Sequence, residues 1–237
     1  IKSDLFVLAT GSFIASAGNA TCIGYTTLTG DINFYDLTVN TGKTFRMGSN
    51  STVNVANVFT LNGSLNATSY TPNYFKYNSS GNQSIADATY YNLIMANGGT
   101  KTLSGNSTVR NDFTIDAGVT FDASSAIFTI YRNWNNYGTF SPSTSNVQFT
   151  STAISNIYGL TTFNDFTINK SSNTTYTFLK DNITANNIIM TRGILDTETD
   201  TITTLGGRSG NGLIYGTITH NHSFTGGTDY FFEGPKN

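Results

Sequence analysis

The sequence predicts an all-β protein, a parallel β-solenoid (β-helix) of about 11–12 coils, with two stacked β-sandwich domains as the alternative arrangement. Three observations lead there: a residue palette suited to pleated strands, a strand signal that returns about every 19 residues, and no helical pattern between its copies. Charged residues make up only 11% of the 237, against 38% hydrophobic, and the missing polarity is carried by 40 Thr, 29 Asn and 23 Ser. Thr, Ile, Val, Phe and Tyr fit a pleated surface, whereas helical bundles favour Ala, Glu, Lys and Leu.

The same palette excludes several kinds of function. With 12 Lys and Arg against 14 Asp and Glu, the chain has no excess positive charge with which to displace phosphate counterions, so nucleic acid is not an expected partner. The 17 Phe and 13 Tyr at a net charge of −2 argue against disorder. No apolar run is long enough for a membrane-spanning helix. The single cysteine, Cys22, cannot form an internal disulfide and reads as a small buried hydrophobe. The start at Ile1 and the aromatic end Tyr230-Phe231-Phe232 read as a processed or truncated polypeptide.

Along the chain, residues 1–30 do not match the repeat and read as an N-terminal cap or assembly segment, and 31–237 read as the solenoid. Phe34-Tyr35-Asp36-Leu37-Thr38-Val39-Asn40 recurs as Tyr90-Tyr91-Asn92-Leu93-Ile94-Met95-Ala96 and again as Phe163-Asn164-Asp165-Phe166-Thr167-Ile168-Asn169. Phe113-Thr114-Ile115 ahead of Gly118 corresponds to Ile188-Ile189-Met190 ahead of Gly193. Within this long repeat, alternating apolar triads begin at Leu37, Phe59, Phe75, Leu93, Phe113, Phe128, Val147, Phe166 and Ile188, with turn formers such as Asn62-Gly63 and Asn97-Gly98-Gly99 between them. Like-to-like recurrence at that spacing favours parallel stacking over hairpins, and at roughly 4.8 Å per rung it gives a rod about 55 Å long. Stacking also rationalises the palette. A charge repeated coil on coil would face its own kind about 5 Å away, whereas Asn and Thr form hydrogen-bonded ladders and Phe113, Phe128, Phe149 and Phe166 stack inside.

The run Asn136-Tyr137-Gly138-Thr139-Phe140-Ser141-Pro142, followed by Val147-Gln148-Phe149-Thr150, Ile157-Tyr158-Gly159 and Thr162 to Ile168, resembles repeats of large secreted cell-surface proteins of bacteria and archaea. Those proteins are β-helical and related in shape to filamentous-haemagglutinin-type adhesins. The segment from His222 to Pro235 has a similar look. The resemblance covers roughly residues 31 to 235. It implies an extracellular scaffold or adhesive role and carries no reaction.

The search for chemistry yields few candidates. Trp134, Asn135 and Tyr137 combine aromatic faces with an amide, the materials of a glycan platform, while core packing is the competing role for the lone Trp. Asp196, Glu198 and Asp200 alternate, so in an extended strand they share a face and offer three oxygens to Ca²⁺; the competing reading is a solvated acidic edge. His220 and His222, with Asp229, are a weaker transition-metal set. Asn-x-Ser/Thr sequons in turns, at Asn50, Asn62, Asn78, Asn106, Asn173 and Asn182, are candidate glycosylation sites in a secreted protein. No Gly-x-Ser-x-Gly elbow, His-Glu-x-x-His or phosphate-binding loop occurs. The expectation is therefore a non-enzymatic, cofactor-free extracellular subunit that assembles with itself into a surface layer, sheath or fibre. The alternatives are an adhesin segment binding glycans on its lateral face and, behind it, a polysaccharide lyase or hydrolase.

Overall fold

The computed structural model describes residues 12–220, which contain no helix and form a parallel β-solenoid of about 10 turns. No described helix is long and apolar enough to cross a membrane. Each turn lays down up to three strand segments, one per face. The first face runs through residues 31–34, Ser51–Val55, Asn73–Tyr77, Asn92–Met95, Phe113–Ile115, Trp134–Asn136, Ser155–Tyr158 and Tyr176–Leu179. These strands pair in parallel, Val53 beside Phe75, Phe75 beside Leu93, Leu93 beside Phe113 and Phe113 beside Trp134. The second face includes Gln83–Ile85, Thr100–Leu103, Thr120–Asp122 and Thr139–Ser141, and the third includes Ser107–Val109, Ile127–Ile130 and Asn146–Ser151.

Alternation does what a half-buried parallel ladder requires. In Ser51–Val55 and Phe113–Ile115, every other residue is buried. Phe113, Phe128, Phe149 and Phe166, the rings expected inside, are each 0% exposed. Cys22 is buried, its Sγ–H directed at Gly24 O at 3.2 Å.

The repeat is real but turns out to be built differently from the sequence reading. Leu37 pairs with Phe59, Phe75 with Leu93 and Leu93 with Phe113, and then Phe128 with Val147, Val147 with Phe166 and Phe166 with Ile188, all as the triads imply. Between these runs the triad series changes face. Phe59 and Phe75 are not ladder partners but ring neighbours across the interior at 4.9 Å, and Phe113 and Phe128 likewise at 4.8 Å. Each change of face shortens the apparent period. Strand partners on successive turns lie 16 to 23 residues apart, and the described residues hold about 10 turns.

The three copies of the long repeat also occupy different corners. Phe34–Val39 rounds from the first face to the second, Tyr90–Met95 from the third to the first, and Phe163–Ile168 from the second to the third. What recurs is a local strand-corner-strand unit usable at any corner. The parallel pairing also crosses residue 30, because Ser12–Cys22 pairs with Asp31–Val39 and Tyr25–Leu28 with Thr44–Met47. Residues 12–28 therefore carry rungs of the solenoid, inside the segment read from the sequence as a cap or assembly segment.

Amides join the turns at one corner. Asn111 donates to Asn92 Oδ1 at 2.8 Å, Asn133 to Asp112 Oδ1 at 2.9 Å, and Asn156 to Asn133 Oδ1 at 3.0 Å. This is the ladder that the Asn-rich composition foreshadows: a carboxamide is donor and acceptor at once, so Asn can stack on Asn, while at Asp112 a carboxylate takes the acceptor's place.

Candidate functional site

The glycan platform does not assemble, and Trp134 takes the competing role, core packing. Trp134 is 0% exposed, its ring 4.8 Å from Phe140 and 5.0 Å from Phe113, and its indole N–H donates to Thr161 Oγ1 at 3.2 Å. Its phase in the strand points it inward, and a ring so enclosed offers no face to a sugar. Asn135 points the other way and spends its amide on Phe113 O and Thr114 Oγ1 of the turn before. Only Tyr137, 63% exposed, presents a free ring surface.

The acidic triplet does not gather either. Glu198 has a φ of 51°, which breaks the extended run that would have kept the three carboxylates on one face. Asp196 is buried and accepts the Glu198 backbone N–H at 3.0 Å, while Glu198 Oε2 meets Lys180 Nζ at 2.8 Å. Asp200 is half-buried. Among the described residues no group of three His, Cys, Asp or Glu is placed to hold a metal. His222 and Asp229 lie outside the described residues, as does the side chain of His220.

The sequons fall where a glycan has room. Asn50, Asn62, Asn106, Asn173 and Asn182 are exposed, and Asn78 is half-buried. Asn106 Oδ1 accepts the Ile127 N–H at 2.8 Å and Asn182 Oδ1 the Thr201 N–H at 2.7 Å. Those bonds use the amide oxygen, whereas a glycan would take the amide nitrogen.

Several polar features escape the sequence reading. Lys101 and Lys170 are 0% exposed. Lys101 Nζ donates to Ser79 O at 2.7 Å and Gly81 O at 2.8 Å; Lys170 Nζ donates to Thr150 O, Ala153 O and Ser155 Oγ at 3.3, 3.1 and 2.5 Å. Burial penalises the ammonium and brings both lysines down to about 8. Tyr77 and Tyr90 share a hydrogen bond of 2.9 Å in the interior, and burial pushes both phenols up. The signal for the lysines was present in the alternation: Lys101 is in phase with Leu103, and Lys170 with Phe166 and Ile168.

Two grooves mark the lateral surface. One of about 510 Å³ lies where the third face turns into the first, lined by Arg110, Asn111, Tyr131, Arg132 and the loop 151–156. The other, of about 370 Å³, lies on the second face against Thr162, Thr184 and Thr203, which are in register on successive turns. Neither groove is lined by a carboxylate or a histidine, so neither holds the acid and base pair of a glycosidase. No protein-family model, curated protein or solved structure matches this chain.

Proposed function

We propose that the chain is a non-enzymatic structural subunit of an extracellular surface layer, sheath or fibre, joined end to end to copies of itself. The observation that carries this reading is the uninterrupted parallel ladder of the described residues, in which turn pairs with turn from Ser12–Cys22 to Leu213–His220. A stack of this kind lengthens by adding strands of the same direction, and a second copy of the chain is built to supply them. The palette supports it too, since a surface of hydroxyls and amides lets neighbouring rods approach without charge repulsion.

Negative-stain electron microscopy across a concentration series tests this. Rods several times longer than one solenoid, growing with concentration, are expected; monomers alone at the highest concentration would sink the proposal. Incubation with acidic and neutral polysaccharides should release no new reducing or unsaturated ends, and their appearance would return the enzyme reading to the front.

A further inference from the structure

The groove at the corner between the third and first faces is built from three successive turns and carries two arginines with no acidic partner. Val109 pairs with Ile130, so Arg110 is followed one rung up by Tyr131, and Asn111 by Arg132. The Arg110 guanidinium lies 4.3 Å over the Tyr131 ring centre, and Arg132 Nη1 donates to Asn111 Oδ1 at 3.3 Å. Both arginines are exposed. The ion pairs of the described residues, Lys76 with Asp116 and Lys180 with Glu198, involve neither.

Stacking on a ring fixes the plane of a guanidinium while leaving its edge N–H donors free, which lowers the ordering cost of a bidentate bond to an oxyanion. The far wall is held just as firmly. The loop containing Thr152 is pinned from beneath by Lys170 Nζ, through Thr150 O, Ala153 O and Ser155 Oγ. At about 510 Å³ the groove lies within the range of small-ligand sites. Asn111 and Asn156 each spend one amide N–H on the ladder and keep the second, and Thr152 adds a hydroxyl beside the two cations.

We propose that this groove binds the oxyanion of an acidic sugar in a polysaccharide, a uronate carboxylate or a sulfate ester, with Arg110 and Arg132 as forked donors and the amides and Thr152 addressing ring hydroxyls. The polymer class follows from the balance of charge. Two cations in an otherwise neutral hydroxylated groove match a chain bearing sparse anions among hydroxyls, whereas a nucleic acid, with a phosphate at every step, demands a basic surface that a net charge of −2 does not provide. The proposal is independent of end-to-end assembly, because the groove lies within one subunit.

Affinity electrophoresis at low ionic strength, in gels containing polygalacturonate, dextran sulfate or neutral dextran, tests it. Retardation by polygalacturonate assigns a uronate and by dextran sulfate a sulfate ester, with none in neutral dextran. The double variant Arg110→Gln/Arg132→Gln should weaken retardation about tenfold or more, as loss of charge-assisted hydrogen bonds implies. Arg110→Lys/Arg132→Lys should fall between it and the parent, since a point charge cannot replace the fork. Lys43→Gln, an exposed cation on an early turn, should leave retardation unchanged. The proposal is overturned by no retardation in either acidic gel, by equal retardation in neutral dextran, by an unaffected double glutamine variant, by an equal loss in Lys43→Gln, or by equal binding of single-stranded DNA.

Discussion

The turns between Phe113 and Phe166 and those between Ile183 and Ile214 share one parallel ladder but fill it differently. In the first region, Phe113 sits 4.8 Å from the rings of both Phe121 and Phe128, and Trp134 bridges Phe140 and Phe163 at 4.8 and 5.3 Å. In the second, the interior is aliphatic, with Ile188, Met190, Leu195 and Ile202 at 0% exposure, and buried Thr197, Thr204 and Asp196 among them. Between the two lies Tyr176–Leu179, where the aromatics face outward: Tyr176 and Phe178 stack at 5.2 Å with their planes 7° apart, while Thr177 is fully buried. Leu179 is held inward beside Ile157, so the two-residue period brings Thr177 in and turns both rings out. The difference teaches that register outranks side-chain preference. Once a neighbouring turn sets the phase, a threonine enters the core and a tyrosine leaves it.

The comparison can be broken most readily at Trp134. Trp134→Ala removes the hub of the aromatic region and should cost about 3–5 kcal/mol in urea unfolding. A loss below about 1 kcal/mol would mean that the aromatic turns are no better consolidated than the aliphatic ones. Next in size is Lys170→Met, which strands the oxygens of Thr150, Ala153 and Ser155 and should cost about 1–3 kcal/mol at neutral pH.

Lys170 also gives the fold a signature against pH. With folded values of about 8 against 10.5 for a lysine free in water, Lys101 and Lys170 in the fold are largely neutral above pH 8 while the unfolded chain still holds both protons. The unfolded state then binds more protons, so stability rises with pH from about 8 toward 10. Above pH 10 the sign reverses, because folded Tyr77 and Tyr90 keep protons that the unfolded phenols lose. Melting temperatures measured from pH 7 to 11 should show that rise and fall, with a shallower rise in Lys170→Met; a monotonic decline from pH 8 would contradict the account.

Thr177→Val should act in the opposite direction. The Thr177 hydroxyl is buried without a hydrogen-bond partner, so an isosteric methyl should stabilise by about 1 kcal/mol, visible as a higher denaturant midpoint with an unchanged slope. Destabilisation would show that the hydroxyl is satisfied in solution. The smallest effect is expected at exposed Tyr137, where Ala should shift stability by no more than about 0.5 kcal/mol.

Much of this architecture is legible in the sequence, and what is not has a common cause. The triads from Phe75 to Phe113 and from Phe128 to Ile188 are true ladder neighbours, because alternation is local and each strand carries its own inward phase. The change of face at Phe59 and again at Phe113 is invisible, since a strand-corner-strand unit looks alike at all three corners. The Asp196 triplet fails for a related reason: extended spacing implies a shared face only while the backbone stays extended, and Glu198 leaves that region. The arginine groove is equally hidden, because Arg110 and Arg132 are scattered in sequence and meet only through stacking.

By itself, then, the sequence determined that this is a stacked parallel β structure, which apolar triads point inward, and why charge is scarce, all consequences of a two-residue period and like-on-like stacking. The tertiary structure alone decided which face each strand joins, that Trp134 belongs to the core, that Lys101 and Lys170 tie loops from inside, and that two arginines share a groove. Those outcomes depend on hydrogen-bond partners 15 to 27 residues away, at a register no local pattern encodes.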